Sequence, residues 1–164
     1  MTTRILCAID GQEHSARAAA VAFELTNRLS AELTLFMANP ALLARGGRVY
    51  LWSNDYVEKI LDKAFRRAKW SGVLNVKCES ECTVSIADSI VAYADEHEVD
   101  YVVIGARDRL GVLRVLSGSV SKEVTAKANC PVLIVRRARR RGQHRPSGGL
   151  PEVNVFPETV PSAA

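Results

Sequence analysis

The stretch DYVVIGARDRLGVLRVLSGSVSKEV, residues Asp100 to Val124, decides how the chain is read. An apolar run, Tyr101 to Ile104, stops at Gly105. A stretch holding Arg107, Arg109 and Arg114 follows, and from Gly118 or Ser119 helical spacing runs to about Ala128, where Asn129, Cys130 and Pro131 end it. A strand that ends on glycine and leads to a helix opening with hydroxyl residues has the layout of an anion cradle. Gly105 permits close backbone approach, and the free amides and dipole of a helix starting at Gly118 and Ser119 favour negative charge. Ser119 and Ser121 add hydroxyl donors, and the arginines add positive charge. Asp108 is the discordant residue. The same string also fits an ordinary strand–loop–helix connection with two turn glycines, so the choice depends on what surrounds it.

Outward from this stretch, strand-like and helix-like segments alternate. Short β-rich runs lie at Ile5 to Ile9, Leu33 to Ala38, Val73 to Cys78, Tyr101 to Ile104 and Val132 to Val135. Helical spacing predicts helices over Ser15 to Leu29, Asn54 to Trp70, Ser85 to His97 and Gly118 or Ser119 to about Ala128. In the second of these, Lys59, Lys63, Arg66 and Arg67 form a solvated face opposite an apolar stripe. The central strands are continuously apolar, which predicts a parallel sheet covered by helices on both faces. Ligands of such sheets sit at the carboxyl ends of strands, near a topological switch point. That directs attention to Asp10 and Gly11, to Ala38 and Asn39, and to Gly105 onward. Asn39 to Trp52, with Pro40, Gly46 and Gly47, reads as a loop that could cover a site.

The 164 residues suit one domain, expected over residues 1–137, and a tail over 138–164. From Met1 to Val135 the sequence holds 16 Lys and Arg against 16 Asp and Glu. The net charge of +4 therefore comes from the end, where six arginines between Arg136 and Arg145 face Glu152 and Glu158. The tail is rich in Arg, Pro, Gly and Ser and is expected to be disordered, followed in its later part by prolines. It is either a solvated end or a non-specific contact for nucleic acid or an anionic membrane surface.

Cys7, Cys78, Cys82 and Cys130 show no CxxC pair and no neighbouring histidine, so buried, unlinked thiols are expected. No run approaches the roughly 18 apolar residues of a membrane span, and the start lacks the charged lead of a secretory signal. A cytoplasmic protein is expected. His14 is read as a solvent-facing residue at a helix entry and Ser15 as a helix cap. No pair of carboxylates, catalytic triad or metal-ligand cluster stands out, so no catalytic residue is assigned.

ILCAIDGQEHSARA at the front, DYVVIGARDR, and the closing LSGSVSKEVTAKANCPVLIVR resemble the universal stress protein family in order and spacing, over about Arg4 to Arg136. The resemblance implies an α/β fold of the adenine nucleotide alpha hydrolase-like kind: a single open five-stranded parallel sheet of order 3-2-1-4-5 with helices on both faces. It also implies a homodimer, often joined through the last strand, here Val132 to Val135. One branch of the family binds ATP through the motif GxxGxxxxxxxxxG followed by Ser or Thr, and another lacks the motif and does not bind it. In this sequence the first glycine is Gly105, the last is Gly118, and the closing hydroxyl is Ser119, with Ser121 following. Asp108 occupies the second glycine position. By the same resemblance Asp10 is the acid beside the ribose, and the Ala38 backbone meets the adenine.

A carboxylate at Asp108 within about 4 Å of a phosphate would cost about 1 kcal/mol in water-like surroundings and about 4 kcal/mol at an intermediate dielectric. That is roughly a five-fold to a thousand-fold loss of affinity. Pairing with Arg107 or Arg109, a bridging Mg²⁺, or a turn that points the side chain to solvent would soften it. The segment Val84, Ser85, Ile86 also departs from the Gly, Asp, Pro common in the family before the third helix. Two readings follow: a cytoplasmic regulatory dimer that binds ATP or a related adenine nucleotide, with at most slow hydrolysis, or a dimer of the same fold that acts through an unknown protein partner without nucleotide.

Overall fold

Apolar strands form the centre of the sheet because both of their faces are covered. The computed structural model describes residues 2–106 and 120–137. Its strands are β1 (Arg4–Ala8), β2 (Glu32–Ala44), β3 (Gly47–Tyr50), β4 (Val76–Thr83), β5 (Tyr101–Gly105) and β6 (Val132–Val135). Its helices are α1 (Glu13–Leu29), α2 (Asn54–Trp70), α3 (Ile86–Glu96) and α4 (Val120–Lys127).

The parallel strands lie in the order β4-β2-β1-β5-β6. Numbered among themselves they run 3-2-1-4-5, as expected. Alternation along each strand divides the core in two. Ile5, Cys7, Leu33, Leu35, Met37 and Val103 pack under α1 and α2 with Ala22, Phe23, Val57 and Leu61. Leu6, Ala8, Phe36, Ala38, Val102 and Ile104 pack under α3 and α4 with Ala87, Ile90, Ala94 and Val124. Complete burial of a side chain such as Phe36 or Leu35 stabilises the fold by about 1.5–3 kcal/mol.

The strand between α2 and α3 is shifted from its expected place. Val73 is buried but precedes β4, plugging the core where α2 turns back, whereas β4 itself is a mostly exposed edge strand of polar sequence. Cys82 on that strand is exposed, in contrast to the expected burial. All four thiols are free; burial pushes Cys7 up to about 12 and, with help from Glu79 and Asp62, Cys78 up to about 11. Neither is poised as a thiolate.

The expected loop from Asn39 to Trp52 is the larger correction. β2 runs past the end of its parallel neighbours to Ala44, turns at Arg45 and Gly46, and returns antiparallel as β3, pairing Ala41 with Tyr50 and Leu42 with Val49. Pro40 does not stop the strand: its carbonyl accepts the Leu51 N–H at 2.8 Å, and the position calls for no donor. The sheet is thus six-stranded, with one antiparallel arm added to the expected five.

No helix among the described residues is long and apolar enough to cross a membrane. The tail over 138–164 lies outside the described residues.

Candidate functional site

β1 has β2 on one side and β5 on the other, so the direction in which strands are added reverses at β1 and a crevice opens at its carboxyl end. Ladder bonds persist to the rim: the Ile9 N–H donates to Phe36 O at 2.9 Å, and the Ala106 N–H to Val135 O at 2.9 Å. Asp10, Ala38 and Gly105 therefore gather at one edge of the sheet. Gly11 makes the turn from β1 into α1 with φ +78°, and a Cβ there would also meet Ile60 Cδ1 at 2.8 Å.

The turn folds around Asp10. The Gln12 N–H donates to Asp10 Oδ1 at 2.9 Å, and Asp10 Oδ2 lies 3.1 Å from His14 Nε2. The Asp10 N–H donates to Ser15 Oγ at 3.2 Å, and that hydroxyl donates to Gln12 O at 2.9 Å. Burial by itself would raise the Asp10 pKa. The bonds from His14, the Gln12 N–H and Ser15, with the His14 charge, outweigh it and hold the carboxyl at about 2, down from 3.8. Asp10 is therefore a fixed carboxylate at neutral pH. His14 does not face solvent as expected, because the first turn of α1 points its ring back at Asp10 and leaves 15% of its side chain exposed. Ser15 is not the cap either. Gln12 holds that position without a side-chain bond, and Ser15 is buried, linking the strand end to the helix.

Gly105 has a different reason to be glycine from the one expected. A Cβ at this position would lie 2.2 Å from the His14 carbonyl oxygen and 2.5 Å from its carbon. The space beside Gly105 is thus occupied by the backbone of α1's first turn. Ala38 is buried on the α3/α4 side of the sheet. Ser121 is buried in the first turn of α4, where its carbonyl accepts the Thr125 hydroxyl at 2.7 Å. Arg107, Asp108, Arg109, Arg114, Gly118 and Ser119 lie outside the described residues.

Asn39 was singled out by its place at a strand end, but its structural role was not foreseen. It is 2% exposed, its amide donates to Trp52 O at 2.8 Å, and its Oδ1 accepts the Trp52 N–H at 3.2 Å, closing the base of the arm beside the crevice. Its signal was a polar residue directly after a continuous apolar strand. The segment before α3 is also self-sufficient: Thr83 Oγ1 accepts the Ser85 N–H at 3.1 Å, and Ser85 Oγ accepts the Asp88 N–H at 3.4 Å as the helix cap.

Among the described residues, no group of three or more His, Cys, Asp and Glu side chains could hold a metal ion. A cleft of about 60 Å³ between α1 and α2, lined by Ile9, Ala19, Phe23, Ile60 and Ala64, is much smaller than the roughly 300 Å³ lower bound of small-molecule sites. A wider one of about 300 Å³, beside Arg4, Thr34, Lys77 and His97, lies at the amino ends of the strands, away from the crevice.

Residues 1–136 match the universal stress protein family. Universal stress protein YxiE of Bacillus subtilis (strain 168) is 32% identical over 152 residues, an alignment that covers 83% of this chain and all of the relative. Among solved structures, a universal stress protein in complex with cAMP superposes with a TM-score of 0.69 at 24% identity, covering 84% of this chain and 98% of the other. The universal stress protein from Archaeoglobus fulgidus in complex with dAMP gives 0.60 at 20% identity, covering 82% and 97%. The doubly wound sheet, its strand order, and the match over nearly all of the described chain agree: this chain belongs to the universal stress protein family.

Proposed function

We propose that the chain is a regulatory protein that binds an adenine nucleotide, ATP or a close relative, in the crevice at the carboxyl ends of β1, β2 and β5. The observation that carries this reading is the Asp10 turn, a half-buried carboxylate kept ionised at the switch point of the sheet. A fixed carboxylate suits the hydroxyls of a ribose, as an acceptor with no proton to lose. The Ala38 backbone would meet the adenine. Gly105, Gly118, Ser119 and Ser121 would flank the phosphates, with Arg107 or Arg109 assisting and Asp108 weakening the hold. Fold relatives carrying cAMP and dAMP support an adenine ligand. An accompanying Mg²⁺ would be held chiefly by the phosphates and water, which is common for this ion.

In this reading the protein works in the cytoplasm as a homodimer joined at the outer edge of β6, where Leu133 is exposed. Ligand occupancy is the signal, and hydrolysis is at most slow. The test is mass spectrometry of the purified protein after denaturation: an adenine nucleotide released in stoichiometric amount is expected, and a nucleotide-free protein that also ignores added ATP, AMP and cAMP overturns the reading.

Asp108 at the second motif glycine favours a second reading, a nucleotide-independent dimer acting through another protein. The Asp108→Gly variant separates them. The first reading expects it to bind ATP more tightly than the parent by about five-fold or more, and absence of binding in both proteins favours the second.

A further inference from the structure

Beyond the buried Ala41, the arm formed by the end of β2 and by β3 presents exposed apolar side chains on both sides. Leu42, Val49 and Leu51 share one side, and Leu43 and Tyr50 the other, by the pairing of Leu42 with Val49 and Ala41 with Tyr50. These five residues are between 49% and 77% exposed. Together they present on the order of 600 Å² of mostly apolar surface, divided between the two sides. A two-stranded ribbon without a covered face is marginal in water, and β3 is also an open edge.

We infer that β3 pairs with β3 of a second copy of this chain, antiparallel about a two-fold axis through Val49. The register follows from the arm's own ladder. The Leu51 N–H bonds to Pro40 O, and hydrogen-bonded pairs alternate in an antiparallel ribbon, so Leu42 and Val49 face each other through bonds while Arg48 and Tyr50 direct their N–H and C=O groups outward. A two-fold axis through Val49 places Arg48 of each copy opposite Tyr50 of the other, the arrangement that uses all four of those outward residues. Leu42 and Val49 of both copies then form one continuous apolar row across four strands.

Charge fits the same register. Residues 39–53 contain Arg45 and Arg48 and no acid. The pairing keeps the two Arg48 side chains apart, each beside a tyrosine ring, and carries Arg45 of one copy to the level of Ser53 in the other, at the head of α2 where Asp55 is exposed. Pairing at the edge buries the flanks of Val49 and Tyr50 in both copies, and main-chain bonds with the Val49 row hold the contact, as in recognition by strand addition. The contact lies on the arm, past the carboxyl ends of the parallel strands, so it is separate from a subunit contact along the outer edge of β6.

The test uses the full chain with Cys82→Ser, which removes the exposed natural thiol. Under a mild oxidant, Val49→Cys is expected to give a disulfide-linked pair, and Arg48→Cys at least five-fold less of it. Linkage in Val49→Cys should fall when Arg45→Asp is added and return with Asp55→Arg. It should persist when residues 138–164 are deleted. No linkage, equal linkage at both positions, indifference to Arg45→Asp, or loss on deleting the tail overturns the inference, the last by assigning the arm to the tail. Independently, sedimentation should show a lower mass for the exposed double variant Leu42→Glu, Val49→Glu than for the parent, with circular dichroism confirming the fold; equal masses count against it.

Discussion

Two connections leave the same pole of the sheet, and they are built on opposite principles. The turn after β1 closes on itself: Asp10, Gln12, His14 and Ser15 bond to one another, and Gly105 gives their backbone room. Among the described residues, the arm after β2 is fastened at its base, by Asn39 and Trp52, and beyond that it turns apolar side chains outward. A polar knot that satisfies its own groups can wait rigidly for a small ligand. An apolar ribbon with an open edge is complete only against another protein surface.

Substitutions can break each side of this contrast. Gly105→Ala should have the largest effect, because its Cβ would collide with main-chain atoms of α1, which cannot rotate away. A loss of about 3 kcal/mol in denaturant unfolding is expected, and a loss under 1 kcal/mol would mean that α1 sits further from β5. Asn39→Ala leaves both polar groups of the Trp52 backbone without their partner. It should cost about 2 kcal/mol and alter tryptophan emission as the base of the arm loosens; an unchanged spectrum and stability would show the clamp to be idle.

Asp10→Ala comes next. The folded pKa, about 2, lies below the ordinary value of 3.8, so the carboxylate stabilises the fold above about pH 4 and that contribution is lost as pH falls toward 2. The parent should lose roughly 1 kcal/mol from this group between pH 5 and pH 3. The variant should lose none of it, so their stabilities converge on acidification. Parallel pH profiles would contradict the assigned contacts. The smallest effect belongs to the arm: Leu43→Ser, at a residue 77% exposed, should change stability by less than about 0.5 kcal/mol at high dilution. A larger cost there would mean that the arm packs on its own subunit.

The sequence was most informative where local pattern and burial agree. α2 runs from Asn54 to Trp70 as its apolar stripe indicates, and β6 matches its expected span. β4 was misplaced because its apolar signal, Val73, belongs to a core plug, while the strand itself is an edge that tolerates polar residues. The arm was missed because Pro40, Gly46 and Gly47 read as loop punctuation, although Gly46 and Gly47 serve a tight hairpin and Pro40 stands where only a carbonyl is needed. Asp10 was legible as an acid at a strand end. Its link to His14 was not, because i,i+4 spacing alone does not say whether a ring points inward or to solvent.

The most direct test of nucleotide binding at the Asp10 turn is calorimetric titration of ATP into the parent and into Asp10→Asn, which removes the charge and keeps the side chain's shape. The parent is expected to bind and Asp10→Asn to bind at least about ten-fold more weakly, the loss of one hydrogen bond to a charged group, with both proteins folded by circular dichroism. Equal affinities would contradict nucleotide binding at this turn.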